Sequence, residues 1–282
     1  MQVSQDLSGV SETMLITLYL RAMESQRPDA LIKDEKAVEI VSRIIYDFNW
    51  TKRVPMSEVN KVTIILRNRE FDRYVRAFLS KNPEAVVVHI GCGLDTRYER
   101  VDNGLVYWYD LDLPEVIKLR KELIGTEEGR YHLLSCSVFD DQWLDVVSVH
   151  KCPFLFIAEG VSMYFEEGQV RRIVILLRDN FPGAELVFDA FSPFHIWRSN
   201  LQIRIAKISD RFPHLYWGLW DGHEVEGWGE GIHLIDDWGY LDSPEPRLSF
   251  YRWARHIPLA AKAGRIYHFQ LGEVGQKKEK KF

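Results

Sequence analysis

Through the N-terminal part of the chain, apolar residues return every three or four positions. Leu15, Leu18 and Tyr19 share one helical face, as do Val38, Val41, Ile44, Ile45 and Phe48. Ile64, Ile65, Phe71, Val75 and Phe78 repeat the pattern in a third helix that must end before Pro83. Residues 11 to 80 thus read as helical, and no Gly/Ser linker follows, so 1–84 is predicted to be a helical cap joined to the rest. From Ala85 the rhythm changes. Short apolar, β-branched runs predict strands at 86–90, 106–110, 131–135, 154–158 and 185–190, with helices at 114–124 and 167–180 among them. That alternation predicts an α/β fold around a mostly parallel, doubly wound sheet. The run 154–158 is apolar throughout, as a central strand covered on both faces should be.

Residues 192–246 break the alternation. They carry Trp197, Trp217, Trp220, Trp228 and Trp238 among glycines and prolines, too long for a connection and too aromatic for disorder. They predict an insertion folded as a lid over the site. Segments 247–254 and 265–271 read as the two final strands, and 273–282 as a tail. A single domain, 1–282, with core residues 85–191, is the organisation expected.

Composition narrows the class. With 46% hydrophobic and 27% charged residues the chain is globular, and its net charge of −5 carries no footprint for nucleic acid. The basic run Lys277-Lys278-Glu279-Lys280-Lys281 reads as a solvated tail. The cysteines, 3 in number and without CxxC spacing, predict a reducing compartment and neither disulfides nor a metal site. The chain starts without a signal-peptide pattern, and no apolar run is long enough for a membrane span, so a soluble cytoplasmic protein is expected.

The chemistry gathers where strands end. The run Val86-Val87-Val88-His89-Ile90 stops at Gly91-Cys92-Gly93, and the next run, Val106-Tyr107-Trp108-Tyr109, stops at Asp110-Leu111-Asp112. Glycines let the backbone approach a ligand closely, and a carboxylate at the next strand end can accept from ribose hydroxyls. A dinucleotide fingerprint needs a third glycine where this chain has Thr96, which disfavours a nucleotide-dependent oxidoreductase and favours an S-adenosylmethionine turn. Strand 154–158 delivers Glu159-Gly160 to the same crevice. On these residues alone, an oxidoreductase and a non-catalytic cofactor-binding protein remain the alternatives.

Taken together, the blocks Arg67-Asn68-Arg69-Glu70-Phe71-Asp72, His89 through Arg97, Tyr109 through Pro114, Ser137-Val138-Phe139-Asp140 with Trp143, Ala158 through Phe165, and Gly227 through Ile232 resemble the leucine carboxyl methyltransferase family. The resemblance is greatest to its branch of tetracenomycin-type polyketide O-methyltransferases. It implies S-adenosyl-L-methionine on a Rossmann-like sheet of seven strands with helices on both faces. Gly91 and Gly93 would then border the methionine moiety, and Asp112 with Asp110 would meet the ribose. Ser137 and Val138 would frame the adenine, and Glu159 would contact the cofactor. Arg67 would hold the cofactor carboxylate, with Arg69 the rival and Arg21 a further candidate. Many relatives carry an acid where Ser137 stands, so the resemblance implies that the adenine contact leans on Asp140 or on a backbone group. The expected partner is a small-molecule acceptor, methylated on a carboxylate or a hydroxyl and aromatic or polyketide-like in character. Tyr164, Trp197 and Trp217 are the candidates to line its pocket. A hydroxyl acceptor would need a base, for which His195, His223 and His233 are at hand, but none is assigned.

Overall fold

The computed structural model describes residues 12–44, 46, 48, 56–207 and 212–272. Ile45 and the 273–282 tail lie outside the described residues. Three helices come first: α1 (Glu12–Ser25), α2 (Glu35–Arg43) and α3 (Glu58–Lys81). Asp34 caps α2 by accepting from the Ala37 N–H, and Ser57 caps α3 by accepting from that of Asn60. The strands and helices then alternate: β1 (Val86–Ile90), α4 (Arg97–Val101), β2 (Tyr107–Asp112), α5 (Pro114–Leu123), β3 (Tyr131–Ser135), α6 (Gln142–Val147), β4 (Phe154–Ala158), a 3-10 turn Ser162–Tyr164, α7 (Glu167–Asn180) and β5 (Ala184–Phe191). The remainder is α8 (Pro193–Ile205), α9 (His223–Glu226), β6 (Ile232–Gly239), a 3-10 stretch Pro246–His256, α10 (Pro258–Ala261) and β7 (Gly264–Leu271).

The sheet has seven strands in the order β3-β2-β1-β4-β5-β7-β6. β1 to β5 run parallel, and β7 is antiparallel to both β5 and β6. Strand period two divides the core. Val86, Val88 and Ile90 face the layer of α6 and α7, where Trp143, Val174 and Leu177 are buried. Val87, with Trp108 and Leu155, faces α3 through Phe71, Val75 and Phe78. The cap packs as its own cluster, with Leu15 and Leu18 of α1 and Ala37 and Ile40 of α2 against Leu119 and Leu123 of α5. The order reverses between β1's neighbours β2 and β4, and this opens a crevice beyond the C-terminal ends of the strands.

One expected strand is corrected. Segment 247–254 belongs to the 3-10 stretch, whose start is set by Pro246 at its first turn and by the Glu245 side chain accepting from the Arg247 N–H. The sixth strand lies instead inside the supposed insertion, at β6. Its Asp236 and Asp237 hide the strand signal, because β6 pairs only with β7 and carries charge on the open edge of the sheet.

Candidate active site

Each residue of the glycine turn is held by the neighbouring strand. Gly91 and Cys92 donate their N–H groups to the Leu111 carbonyl at 2.8 and 3.3 Å, continuing the β1–β2 pairing past the strand end. Gly91 and Gly93 have φ of +64° and +50°, which a side chain would strain. Gly93 N–H then donates to Asp112 Oδ2 at 2.8 Å, and Leu113 N–H to Asp112 Oδ1 at 2.8 Å. The Asp112 carboxylate is thereby fixed at the mouth of the crevice. Burial pushes its carboxyl above the usual range, against the pull of the two N–H donors.

Packing also closes on these glycines from outside the turn. A methyl group at Gly91 would come within 2.5 Å of Val161 Cγ2, and one at Gly93 within 2.8 Å of Met14 Cγ. The turn is therefore clasped between α1 and the loop after β4.

Beyond the turn lies a cavity of about 530 Å³. Gly91, Gly93, Asp112, Leu113 and Val116 are part of its lining. Arg21, Arg67, Glu159 and Gly160 line its wall. Its lining also includes Ile64, His89, Met163, Tyr164, Phe191, Ile203 and Leu215.

Under that wall runs a buried chain of ion pairs. Arg67 donates from Nε to Glu159 Oε1 at 2.9 Å and from Nη1 to Asp189 Oδ2 at 3.1 Å. Glu159 also accepts from Asn68 Nδ2 at 2.7 Å and from Arg97 Nη2 at 2.5 Å. Arg97, which has no exposed surface, continues to Asp72 at 2.7 Å and Asp95 at 3.0 Å. Arg100 links Asp72, Asp95 and Asp34, and Asp34 meets Arg21 Nε at 2.9 Å. Burial works against charge at Asp72, but Arg100 and Arg97 outweigh it and hold the carboxyl below its usual range. Fixed charges of both signs thus stand ready at the cavity wall.

A glycine turn, an acid at the next strand end and an arginine thus meet around one cavity. The leucine carboxyl methyltransferase family model matches residues 14–177. The chain is 33% identical over 243 residues to the tetracenomycin polyketide synthesis O-methyltransferase TcmP of Streptomyces glaucescens, covering 84% of this chain and 86% of that one. The chain belongs to the leucine carboxyl methyltransferase family. It is also 34% identical over 201 residues to the S-adenosyl-L-methionine-dependent methyltransferase dpfgK of Gibberella zeae, with 65% of this chain and 67% of that one covered. A DUF574 family protein from Streptomyces avermitilis shares the fold, at a TM-score of 0.59 and 15% identity over 94% of this chain and 99% of that one. The protein is an S-adenosyl-L-methionine-dependent methyltransferase.

In this methyltransferase Arg21, Arg67, Gly91, Gly93, Asp112, Glu159 and Tyr164 meet around one cavity. Arg69 points elsewhere, toward Ser243 at 3.4 Å. Asp110 does not line the cavity. It lies one pleat before the strand end, buried, and is taken up by Arg120, by Trp108 Nε1 at 2.8 Å and by the Tyr131 hydroxyl at 2.7 Å. Ser137 and Val138 follow β3, one strand further out, and neither lines the cavity. Ser137 is folded into its own turn, its N–H donating to Asp140 Oδ2 at 3.0 Å and its Oγ accepting from Phe139 N–H at 3.2 Å. Trp197 and Trp217 are not cavity residues either. Trp197 is 59% exposed on α8, and Trp217 is core, 5.9 Å from Trp228 and 6.3 Å from Phe188 between ring centres. The aromatic content of the insertion therefore goes largely into its packing on the sheet, where Trp217 and Trp228 join the core beneath α9.

Several residues of the network escaped the sequence reading, among them Asp34, Arg100, Asp189, Arg97 and Tyr240. Asp189 is the acid in the otherwise apolar second half of β5, two residues before its end, a local signal that could have been followed. Arg97 stood in a quoted block with no role attached. Tyr240, whose hydroxyl donates to Asp189 Oδ2 at 2.8 Å, carries no local signal.

The candidate histidines fall away from the cavity. His223 is exposed and pairs with Glu226 at 2.7 Å, and His233 is exposed on the edge strand β6. His195 stacks on Phe191 at 4.7 Å, and burial, with the nearby charge of Arg198, pushes it from 6.5 down to about 4. In the unfolded chain His195 takes up a proton near its ordinary pKa, while the folded protein refuses it. Stability is therefore expected to fall as pH drops from 6.5 toward about 4. His195→Phe should flatten that slope, read as the difference in urea midpoint between about pH 7 and about pH 5.

Proposed function

We propose that this methyltransferase forms a methyl ester on the carboxylate of an apolar small molecule, polyketide-like in character as the name of its TcmP relative suggests. One observation carries this reading: none of the candidate bases His195, His223 and His233 lines the cavity, the imidazole that does among the described residues, that of His89, is buried beside Asp110, and the phenol in the lining is that of Tyr164. Burial pushes its phenol above the usual range, so it remains protonated and cannot serve as a base. A carboxylate with a pKa of about 4 is already ionised at neutral pH and needs no base, whereas a phenol with a pKa of about 10 does.

The residues fit the cofactor. Asp112 offers a fixed carboxylate for the ribose, Gly91 and Gly93 border the methionine portion, and Leu113 and Val116 supply an apolar wall for adenine, while Ser137 and Val138 lie outside the lining. Arg67 faces the carboxylate, with Arg21 further along the wall and Glu159 holding Arg67 in place. The bound cofactor supplies a methyl group activated on a sulfonium. The protein's part is alignment and exclusion of water, a contribution of about 7–11 kcal/mol in well-oriented reactions. Helices α1 to α3 serve as a cap, and Ile203 of α8 with Phe212, Pro213 and Leu215, which line the cavity, as part of a lid, on a single catalytic domain whose three free cysteines suit a reducing, cytoplasmic setting.

Transfer of labelled methyl to paired sets of aromatic acids and phenols of equal size tests the acceptor class. Base-labile esters of the acids, with a rate flat between about pH 6 and about pH 9, are expected. Ethers of the phenols, formed at a rate climbing with pH, would overturn the assignment.

A further inference from the structure

Arg67 shares its charge between two buried carboxylates, Glu159 through Nε and Asp189 through Nη1. Its remaining terminal nitrogen, Nη2, has no protein partner among the described residues and lies beside Gly160 in the cavity wall, 3.2 Å from where a side-chain carbon on Gly160 would stand. That nitrogen is an open donor at the cavity. Its direction depends on the two carboxylates that grip the rest of the guanidinium, because a planar fork held at two nitrogens has its third fixed.

Glu159 is braced by Asn68 and Arg97, both close in the network already described. Asp189 is braced from a different part of the chain. Its Oδ1 accepts from Gly160 N–H at 2.6 Å, and its Oδ2 accepts from the Tyr240 hydroxyl at 2.8 Å. The Ser162 hydroxyl donates to its backbone carbonyl. Asp189 has no exposed surface and therefore no water to replace a lost donor. Tyr240 comes from the turn after β6, at the far edge of the sheet. The fold makes room for its ring: β7 begins with Gly264, where a side-chain carbon would come within 2.6 Å of Tyr240 Cε2. Phe191 meets the same ring edge-on at 6.1 Å. Burial, with Asp189 alongside, keeps the phenol well above its usual pKa, so the hydroxyl is a permanent donor.

We propose that Tyr240 is a positioning residue for cofactor binding: through Asp189 it aims Arg67 and, by drawing on the Asp189 charge, leaves Arg67 free to receive the carboxylate of S-adenosylmethionine. The inference rests on the reading that Arg67 takes that carboxylate. An unbraced Asp189 would turn toward Arg67 and compete with the ligand.

The test compares two ligands by calorimetry. S-adenosylhomocysteine carries the amino-acid end, and 5′-methylthioadenosine has the same adenosine and sulfur without it. Tyr240→Phe is expected to weaken S-adenosylhomocysteine by about five-fold, the scale of one hydrogen bond, with methylthioadenosine unchanged. In turnover the KM for S-adenosylmethionine should rise with kcat unaltered. Equal loss for both ligands, as a merely structural tyrosine would give, or no loss for either, overturns the proposal. Arg67→Lys separates the underlying reading. If it weakens both ligands alike, Arg67 does not hold the carboxylate and the reading fails with the proposal. If it weakens only S-adenosylhomocysteine while Tyr240→Phe weakens neither, the reading stands and the role of Tyr240 falls. In the Arg67→Lys background, Tyr240→Phe should add nothing to the difference between the ligands. Should Tyr240→Phe fail to fold, Gly264→Ala displaces the ring with its hydroxyl intact and is expected to produce the same selective loss.

Discussion

Arg97→Met should lower the stability of the folded protein by about 3–5 kcal/mol, the cost of removing one partner from a buried ionic network. Three carboxylates, those of Asp72, Asp95 and Glu159, turn toward this one guanidinium, which has no access to solvent. Methionine fills much of the volume but leaves their charge to Arg100 and Arg67, which already serve Asp34 and Asp189. A domain stable by about 5–15 kcal/mol cannot lose this much without a large shift in its urea midpoint. The exposed pair Lys61–Glu58 is the control. Its removal should cost about 1 kcal/mol or less, since water and salt screen it. A shift for Arg97→Met no larger than that of the control would show that Arg100 and Arg67 neutralise the cluster by themselves.

Asp112→Ala should weaken binding of S-adenosylhomocysteine by about 1–3 kcal/mol, or roughly ten- to a hundred-fold in Kd, with the fold retained. The two N–H groups it leaves, on Gly93 and Leu113, lie at the mouth of the cavity within reach of water. Calorimetry reads the loss directly, and an unchanged affinity would place the ribose elsewhere. The same carboxylate gives binding a pH dependence of definite sign. Ribose hydroxyls donate to the ionised form, and burial holds the Asp112 carboxyl above its usual range. Binding therefore releases a proton, and affinity should climb with pH through that raised pKa and fall below it. Asp112→Asn, which cannot titrate, should give a flat profile.

Those parts of the site where chemistry follows directly from strand periodicity were legible in the sequence. A continuous apolar run stopping at glycine, and a second stopping at Asp112, need only local pattern to be recognised, and both stand where they were expected. Local pattern misled where the sheet edge or tertiary packing decides. β6 is one-sided and acidic and so lacks the signature of a buried strand, while Pro246 turned an apparently strand-like run into a 3-10 stretch. Asp110 and Asp112 are both acids at one strand end, and only their neighbours separate them: Arg120 takes the first, and the glycine turn takes the second. Likewise a tryptophan reads the same whether it lines a ligand or closes a core, as Trp217 does against Phe188. The Tyr240–Asp189 contact joins positions far apart in the chain, beyond the reach of any local pattern.

The clasp of Val161 on Gly91 and of Met14 on Gly93 bears on how such chains diverge. Each glycine is demanded by a neighbouring side chain as well as by its own backbone angle, so selection for folding alone would preserve both. A descendant that had abandoned methyl transfer would keep the turn intact and remain recognisable by it. The inheritance of activity would be written instead in groups that the fold leaves unused, such as the Arg67 Nη2, which has no protein partner among the described residues.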